Sequence, residues 1–469
     1  MSGVSGLLNI AKSAILAQQA GMNVVSHNIA NANTEGYSKQ ELTLASRPGI
    51  KNSAYTIGQG VDATEVRQRQ ATFIDKRIQS ELTNLGKWET SRRVLEQIET
   101  IFAGVGESDL NVAMNNFFNA WEDLSSNPES LEFRGQVVQQ GKALTDKFHE
   151  MSEGFTEIRS NLNAEVDGAI TDINRTFRKI WDLNRTIEEA ESTGNAANDL
   201  RDQRNLLIKE VSQLINVEVQ TTNQGGIQIS SGGIMLLDRS NLIELTTQTV
   251  SEGGLSTTRV YAGERELNVQ GGELGGLLQV RDSTLTDYQS KLDTLANAIV
   301  TNINREHEKG FGLDGSTGQE FFTSTRVAAS DIELSTAILE TPDKIATAAG
   351  EHDWVNDVHT SNGSGDNTIA RQIAGLRNIK VLSDRTSTFE SYYNTLYSDV
   401  GFDTIDAMQN QENHQLLTDQ LKNYRDSAVS VSIDEEMADI MKFQHSYVAA
   451  AQLINVANKM MDTLVNLLG

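Results

Sequence analysis

Apolar residues recur along the chain in two long heptad seams, one near each end. Between Ser432 and Leu468 the seam reads Phe443, Tyr447, Ala450, Ile454, Ala457, Met461, Leu464 and Leu468. Its steps alternate four and three, the spacing of a helix that packs along another helix. Ser432-Ile433-Asp434-Glu435 ahead of it has capping-box spacing. The Ser432 hydroxyl would accept the Glu435 amide while the Glu435 carboxylate reaches back. Asp434, Glu435 and Glu436 add negative charge at the positive end of the helix dipole. The early seam is Val4, Leu8, Ala11, Ile15, Gln18, Met22, Val25 and Ile29, with Gln18 its one polar member. Neither stripe can bury itself alone in water, so the two are expected to pack on each other or on copies of each other.

Between them the periodicity changes several times. Gln40 to Val66 is polar and Gly-bearing and predicts short extended pieces. Ile74, Ile78, Leu82, Leu85, Leu95, Ile98 and Phe102 restore a helical pattern, and Leu110, Met114, Phe117, Trp121 and Leu124 make a clean helical face. The longest stripe runs from Phe148 through Phe155, Val166, Ile173 and Phe177 to Ile187. As one rod, Leu131 to Glu191 would span roughly 90 Å at 1.5 Å per residue. Globular helices seldom run so long, so a helical hairpin or coiled-coil stalk is expected there. A further helix is expected over Asn198 to Ile215. Short strands separated by Gly225-Gly226 and Gly232-Gly233 then predict a small β module ending near Gly272. Helix returns over Leu277 to Glu308, Asp366 to Leu382 and Thr386 to Val429.

The fold class is therefore mainly α: a long coiled-coil-like helical stalk formed by N- and C-terminal segments, with an inserted small β-rich domain. The expected division is a terminal helical core (1–42 and 430–469), a helical stalk (43–215, 273–322 and 350–429) and an outer β-rich domain (216–272 and 323–349).

Composition narrows the chemistry. The net charge of −25 argues against nucleic acid, whose phosphates need clustered cations. The absence of cysteine excludes disulfides and thiolate sites, and the scarcity of proline, three in 469 residues, suits long helices. No apolar run is long enough to cross a membrane, and Met1 to Lys12 does not read as a signal peptide. The glycines around Gly310 to Gly318 do not lead from a strand into a helix, so they predict a turn, not a phosphate loop. Asp314, Ser316 and Glu320 are too few for a calcium loop. His352 and His359, flanking Asp353 and Asp357, lack a third ligand at convincing spacing. His27 is expected as a surface or packing residue. No catalytic constellation emerges; no enzyme activity, cofactor or metal is expected.

Ser26-His27-Asn28-Ile29-Ala30-Asn31-Ala32-Asn33-Thr34-Glu35-Gly36-Tyr37-Ser38 resembles the N-terminal signature of bacterial flagellar axial proteins. Asn28, Asn31, Asn33, Gly36 and Tyr37 carry the likeness; the family pattern has Pro where this chain has Glu35. Ile433 to Met437, Phe443 to Tyr447 and Ala457 to Leu464 resemble the family's C-terminal motif. Phe117 to Ser130 and Asn198 to Leu207 resemble the hook-associated members at the hook–filament junction, as do Leu277 to Asp282 and Gly312 to Gly315. The resemblance implies a structural subunit assembling head to tail on the distal end of the hook, outside the cell, after export without a cleaved signal peptide. It implies contacts with copies of itself, with hook protein and with a second junction protein or the filament side. Before export, a cytosolic chaperone is implied on the C-terminal helix. The alternative is another axial subunit, a hook or distal rod protein.

Overall fold

The computed structural model describes residues 2–51, 56–103, 109–192, 194, 196–222, 225–252, 255–353 and 358–468. At residues 2, 251–252, 255–256, 352–353, 358, 464 and 466–468 it describes the backbone alone.

The elements in chain order begin with α1 (Ser2–Ala30), β1 (Gln40–Ser46), β2 (Ile50–Lys51), β3 (Thr56–Ile57) and β4 (Val61–Gln68). Then come α2 (Thr72–Ala103), α3 (Leu110–Ser126), α4 (Leu131–Glu191) and α5 (Asn198–Leu214). The β module holds β5 (Glu218–Thr221), β6 (Ile227–Ser231), β7 (Ile234–Leu237), β8 (Leu245–Glu252), β9 (Leu255–Ala262) and β10 (Arg265–Glu266). After α6 (Gly272–Gln279) a π-helical turn, Val280–Thr284, leads into α7 (Leu285–His307). The rest is α8 (Thr336–Glu340), β11 (Gly350–Asp353), β12 (Val358–Ser361), α9 (Thr368–Gly375), α10 (Phe389–Val429) and α11 (Ile433–Leu468).

The chain forms two compact units. The first holds Met1–Gly86, Ala169–Leu274 and Glu412–Gly469; the second holds Lys87–Gly168 and Gly275–Gln411. Helix α4 is a single helix of 61 residues, so of the two arrangements expected there, a hairpin or a coiled-coil stalk, the hairpin does not form. The reason is local: Phe148, Phe155, Val166, Ile173, Phe177, Ile180 and Ile187 are all fully buried, one continuous face with nothing to turn for.

In the first unit β1 and β4 pair antiparallel, with a bulge between Thr43 and Leu44. Strands β5, β6 and β7 make one antiparallel sheet, and β8, β9 and β10 another. Along β6 burial alternates, with Ile227, Ile229 and Ser231 inward, as a half-covered strand requires. Ile78, Leu82 and Leu85 of α2 are buried together with Ile74 and Leu421 against them.

The second unit is built on aromatic packing. Phe117 and Trp121 of α3 meet Phe321, with ring centroids 5.8 and 5.3 Å apart, and Phe322 lies 6.0 Å from Phe117. Buried His307 is held from both sides, its Nδ1 2.7 Å from the Gln319 carbonyl and its Nε2 accepting the Ala346 amide at 2.9 Å. Burial pushes its pKa down to about 4, so the ring is neutral at ordinary pH. Residues 323–349, expected with the β module, belong instead to this unit. Their apolar side chains, Ile332, Leu334, Ile338 and Ile345, are buried, and Leu334 pairs through its backbone with Phe322. His352 and His359 sit opposite each other across the β11–β12 hairpin; Asp357 and the His352 and Asp353 side chains lie outside the described part. Among the described residues no cluster of His, Asp and Glu could hold a metal ion, and no described helix is long and apolar enough to cross a membrane.

Candidate assembly site at the root of the terminal helix pair

Helices α1 and α11 run antiparallel: Gly21 faces Phe443 and Asn28 faces Glu436, so each step up α1 matches a step down α11. Both seams face inward. On α1, Val4, Ala11 and Val25 are buried and Leu8, Ile15, Gln18, Met22 and Ile29 are half-buried. On α11, Ala450 and Ala457 are buried, Phe443 and Ile454 half-buried, and Tyr447 and Met461 lie at the seam's edge with 36% and 37% exposure. The side chains of Leu464 and Leu468 fall outside the described part. Gly21 lets the helices close: a Cβ there would stand 2.7 Å from the Phe443 ring.

The seam begins earlier than its apolar residues suggest. Glu436 lies seven residues before Phe443, in phase with it, and its side chain is 1% exposed. Its carboxylate takes the Lys39 ammonium at 2.8 Å and the Asn28 amide at 2.9 Å. Asn28 is satisfied on every side. Its Nδ2 also donates to the Gln40 carbonyl at 2.9 Å, and its Oδ1 accepts from the Gln40 amide at 3.0 Å and the Tyr37 hydroxyl at 2.8 Å. Burial, followed by the nearby Asp199, Asp202 and Glu436, raises the Tyr37 pKa, which keeps its hydroxyl a donor. At this buried point, where four segments meet, the Asn28 amide is fully hydrogen-bonded, and Glu436 Oε1, which has no hydrogen bond, is held by the Lys39 charge.

Of the N-terminal signature, then, Asn28 and Tyr37 converge on this node. Asn31 finishes α1, its Nδ2 donating to the His27 carbonyl at 3.0 Å. Gly36 turns the chain at φ +79°, and a Cβ on it would meet the Leu206 side chain at 2.6 Å. Asn33 is exposed and joins nothing in the node. His27 packs edge-on to Tyr37 and lies 3.3 Å from the Asp199 carboxylate. At the start of α11, the Ser432 hydroxyl stands 3.5 Å from the Glu435 amide, a weak cap. The Glu435 carboxylate does not close the box; it reaches Lys39 at 3.2 Å, because a lysine charge outcompetes a backbone amide.

The α5 stretch Asn198 to Leu207 is the seat for this turn. Asn198 donates to the Val66 carbonyl at 3.0 Å, and Asp199 accepts from Gln40 at 2.7 Å. Asp202 accepts from the Ser38 amide (2.9 Å), the Ser38 hydroxyl (3.0 Å) and Gln68. Arg425 of α10 donates to the Ser38 hydroxyl at 3.1 Å and pairs with Asp75 at 3.1 Å. Burial lifts the Asp202 carboxyl to about 6, against the pull of these donors. The sequence pattern missed Ser38, Lys39, Gln40, Asp202, Arg425 and the pairing role of Glu436. Glu436 left a signal in its place in the heptad, and Ser38 and Asp202 lie within stretches the resemblance had marked.

Outside the seam, α11 carries a second apolar face. Met437, Met441, Val448, Val456 and Met460 are 49%, 55%, 54%, 49% and 49% exposed. The helix thus leaves apolar side chains uncovered beside its closed seam.

The family described as "Flagellar hook-associated protein FlgK helical domain" matches residues 95–322. "Flagella basal body rod protein" matches residues 8–37, and "Flagellar basal body rod FlgEFG protein C-terminal" matches 427–467. The chain is 27% identical to flagellar hook-associated protein 1 of Bacillus subtilis over 499 residues, covering 98% of both. It is 25% identical to that of Salmonella typhimurium over 554 residues, 99% of this chain and 100% of the other. In three dimensions it is similar to the flagellar hook junction protein FlgK from Burkholderia pseudomallei, with a TM-score of 0.66 at 16% identity over 76% of this chain and 100% of that one. That last likeness speaks for the fold.

Proposed function

We propose that this chain, which belongs to the flagellar hook-associated protein 1 family, is the structural subunit that joins hook to filament in the bacterial flagellum. The carrying observation is the terminal helix pair: one seam closed by a buried charged node, and beside it an uncovered apolar face on α11. Copies add head to tail around the axis, each covering that face on the next, in a heterologous contact that does not close on a single pair. The hook lies on one side of this segment, and a second junction protein or the filament on the other. Before export the same exposed methionines and valines suit a cytosolic chaperone, since Met-rich faces adapt to different partners. The subunit then works outside the cell, and its mechanism is mechanical: no reaction is assigned to it.

The reading over another axial subunit is supported by Phe117 to Ser130, which lies inside the matched hook-associated helical domain. Removing the gene from its own bacterium tests it. Hooks without filaments, with flagellin shed into the medium, are expected. Loss of the hook itself would overturn it.

A further inference from the structure

A cavity of about 140 Å³ in the first unit lies between the start of α2, helix α5 and the β5–β6 hairpin. In a chain of net charge −25, its lining carries Lys76, Arg201, Arg204 and Lys209 against the single carboxylate of Asp75. Asp75 is already engaged, by Lys209 at 3.2 Å and Arg425 at 3.1 Å. Arg201 pairs with Glu191 at 2.6 Å.

Arg204 is the anomaly. It is 4% exposed, yet no carboxylate lies within ion-pair distance of it among the described residues. Its Nη1 donates to the Asn184 side chain at 2.8 Å and to the Gly225 carbonyl at 3.0 Å, both neutral. Its Nε finds no acceptor. Burial, with Arg201 beside it, drags its pKa down to about 10 against the pull of Glu191 and Glu188, neither of which bonds it directly. Lys209 across the cavity is also pushed down, by burial and by Arg425. A buried guanidinium with no directly bonded carboxylate and an Nε without an acceptor is costly. The lining adds uncharged hydrogen-bonding groups from Gln70, Thr72 and Asn205.

We propose that this cavity is a binding site for one small oxyanion of the phosphate class, seated on the Arg204 guanidinium with Lys209 and Lys76 at its side. The volume suits a tetrahedral anion with a few waters and is too small for a chain segment. Planar guanidinium groups favour phosphate geometry over a spherical halide. The bound anion ties α2, α5 and the β5–β6 hairpin together, next to the α5 residues that seat the terminal helices.

The test is calorimetric titration of the full chain with inorganic phosphate at fixed ionic strength, with chloride and acetate as comparators, beside melting scans. Saturable binding of one phosphate per chain is expected, with an upward Tm shift of at least about 2 °C, not reproduced by chloride. Arg204→Gln should weaken binding roughly tenfold or more, by loss of a charge-assisted contact. Lys76→Glu, at an exposed side chain, should leave the phosphate-free Tm unchanged and weaken binding several-fold. That second variant keeps the test valid if Arg204→Gln fails to fold. Absence of saturable binding, or binding unchanged in Lys76→Glu, would overturn the proposal. Neither outcome depends on the role in the flagellum.

Discussion

Asn28 and Glu436 lie 408 positions apart in the chain and share a buried hydrogen bond of 2.9 Å. The bond fixes which turn of α1 meets which turn of α11, because a shift by one heptad would leave a buried amide, a carboxylate and the Lys39 ammonium unpaired. A polar group at one seam position is a known way to specify register.

Glu436→Ala should therefore destabilise the first unit by about 1–3 kcal/mol, since it removes one carboxylate from Lys39 and one acceptor from Asn28 while Glu435 and the Gln40 carbonyl remain to them. Glu436→Gln keeps the acceptor for Asn28 and should lose less. Denaturant midpoints, with hydrogen exchange along α11, distinguish the two. Equal losses would mean that the Asn28 bond carries no weight.

Gly21→Val should push the helices apart, because the new side chain begins 2.7 Å from the Phe443 ring. Phe443→Ala removes that ring, so the double variant should be more stable than Gly21→Val alone. The comparison is a double-mutant cycle read by thermal melting.

Ile454→Asp places a carboxylate in the α1–α11 seam. Polymerisation should be lost while melting of the second unit, which holds no part of α11, is unchanged. Sedimentation and calorimetry report the two separately.

The Asp202 carboxyl, lifted to about 6 from 3.8, holds its proton more tightly in the folded protein than in the unfolded chain. The stability it contributes is full below about 4 and is lost as pH rises through about 6. Asp202→Asn should flatten that decline in a series of melts from pH 4 to pH 7, with the midpoint followed at α5.

His307 has the opposite sign. Its folded pKa is pushed from 6.5 down to about 4, so its contribution is full above 6.5 and is lost as pH falls through about 4. His307→Gln should reduce the acid sensitivity of the second unit. Imidazole carbon shifts followed by NMR from pH 3.5 to pH 7 check the value directly.

The seams were legible because heptad burial is a local property, written in every third or fourth residue. Val4, Ala11, Val25, Ala450 and Ala457 all face inward as the spacing requires. The node was not legible, because Asn28, Lys39 and Asp202 take their meaning from partners far away in sequence. The length of α4 suggested a hairpin or a coiled-coil stalk, but its continuous buried stripe runs through as one helix. Residues 323–349 were expected with the β-rich domain, yet their isoleucines and Leu334 are buried in the aromatic unit. Short apolar segments follow whichever core has room for them.

The antiparallel register has a consequence for when the pair can close. The two halves of the seam come from opposite ends of the described chain, so the coiled coil cannot close until everything between them has been made and delivered. A subunit broken off before α11 presents α1 bare, without Glu436 to satisfy Asn28 and Lys39. Such a fragment has no closed seam. Closure of the seam is thereby conditional on both ends of the same chain.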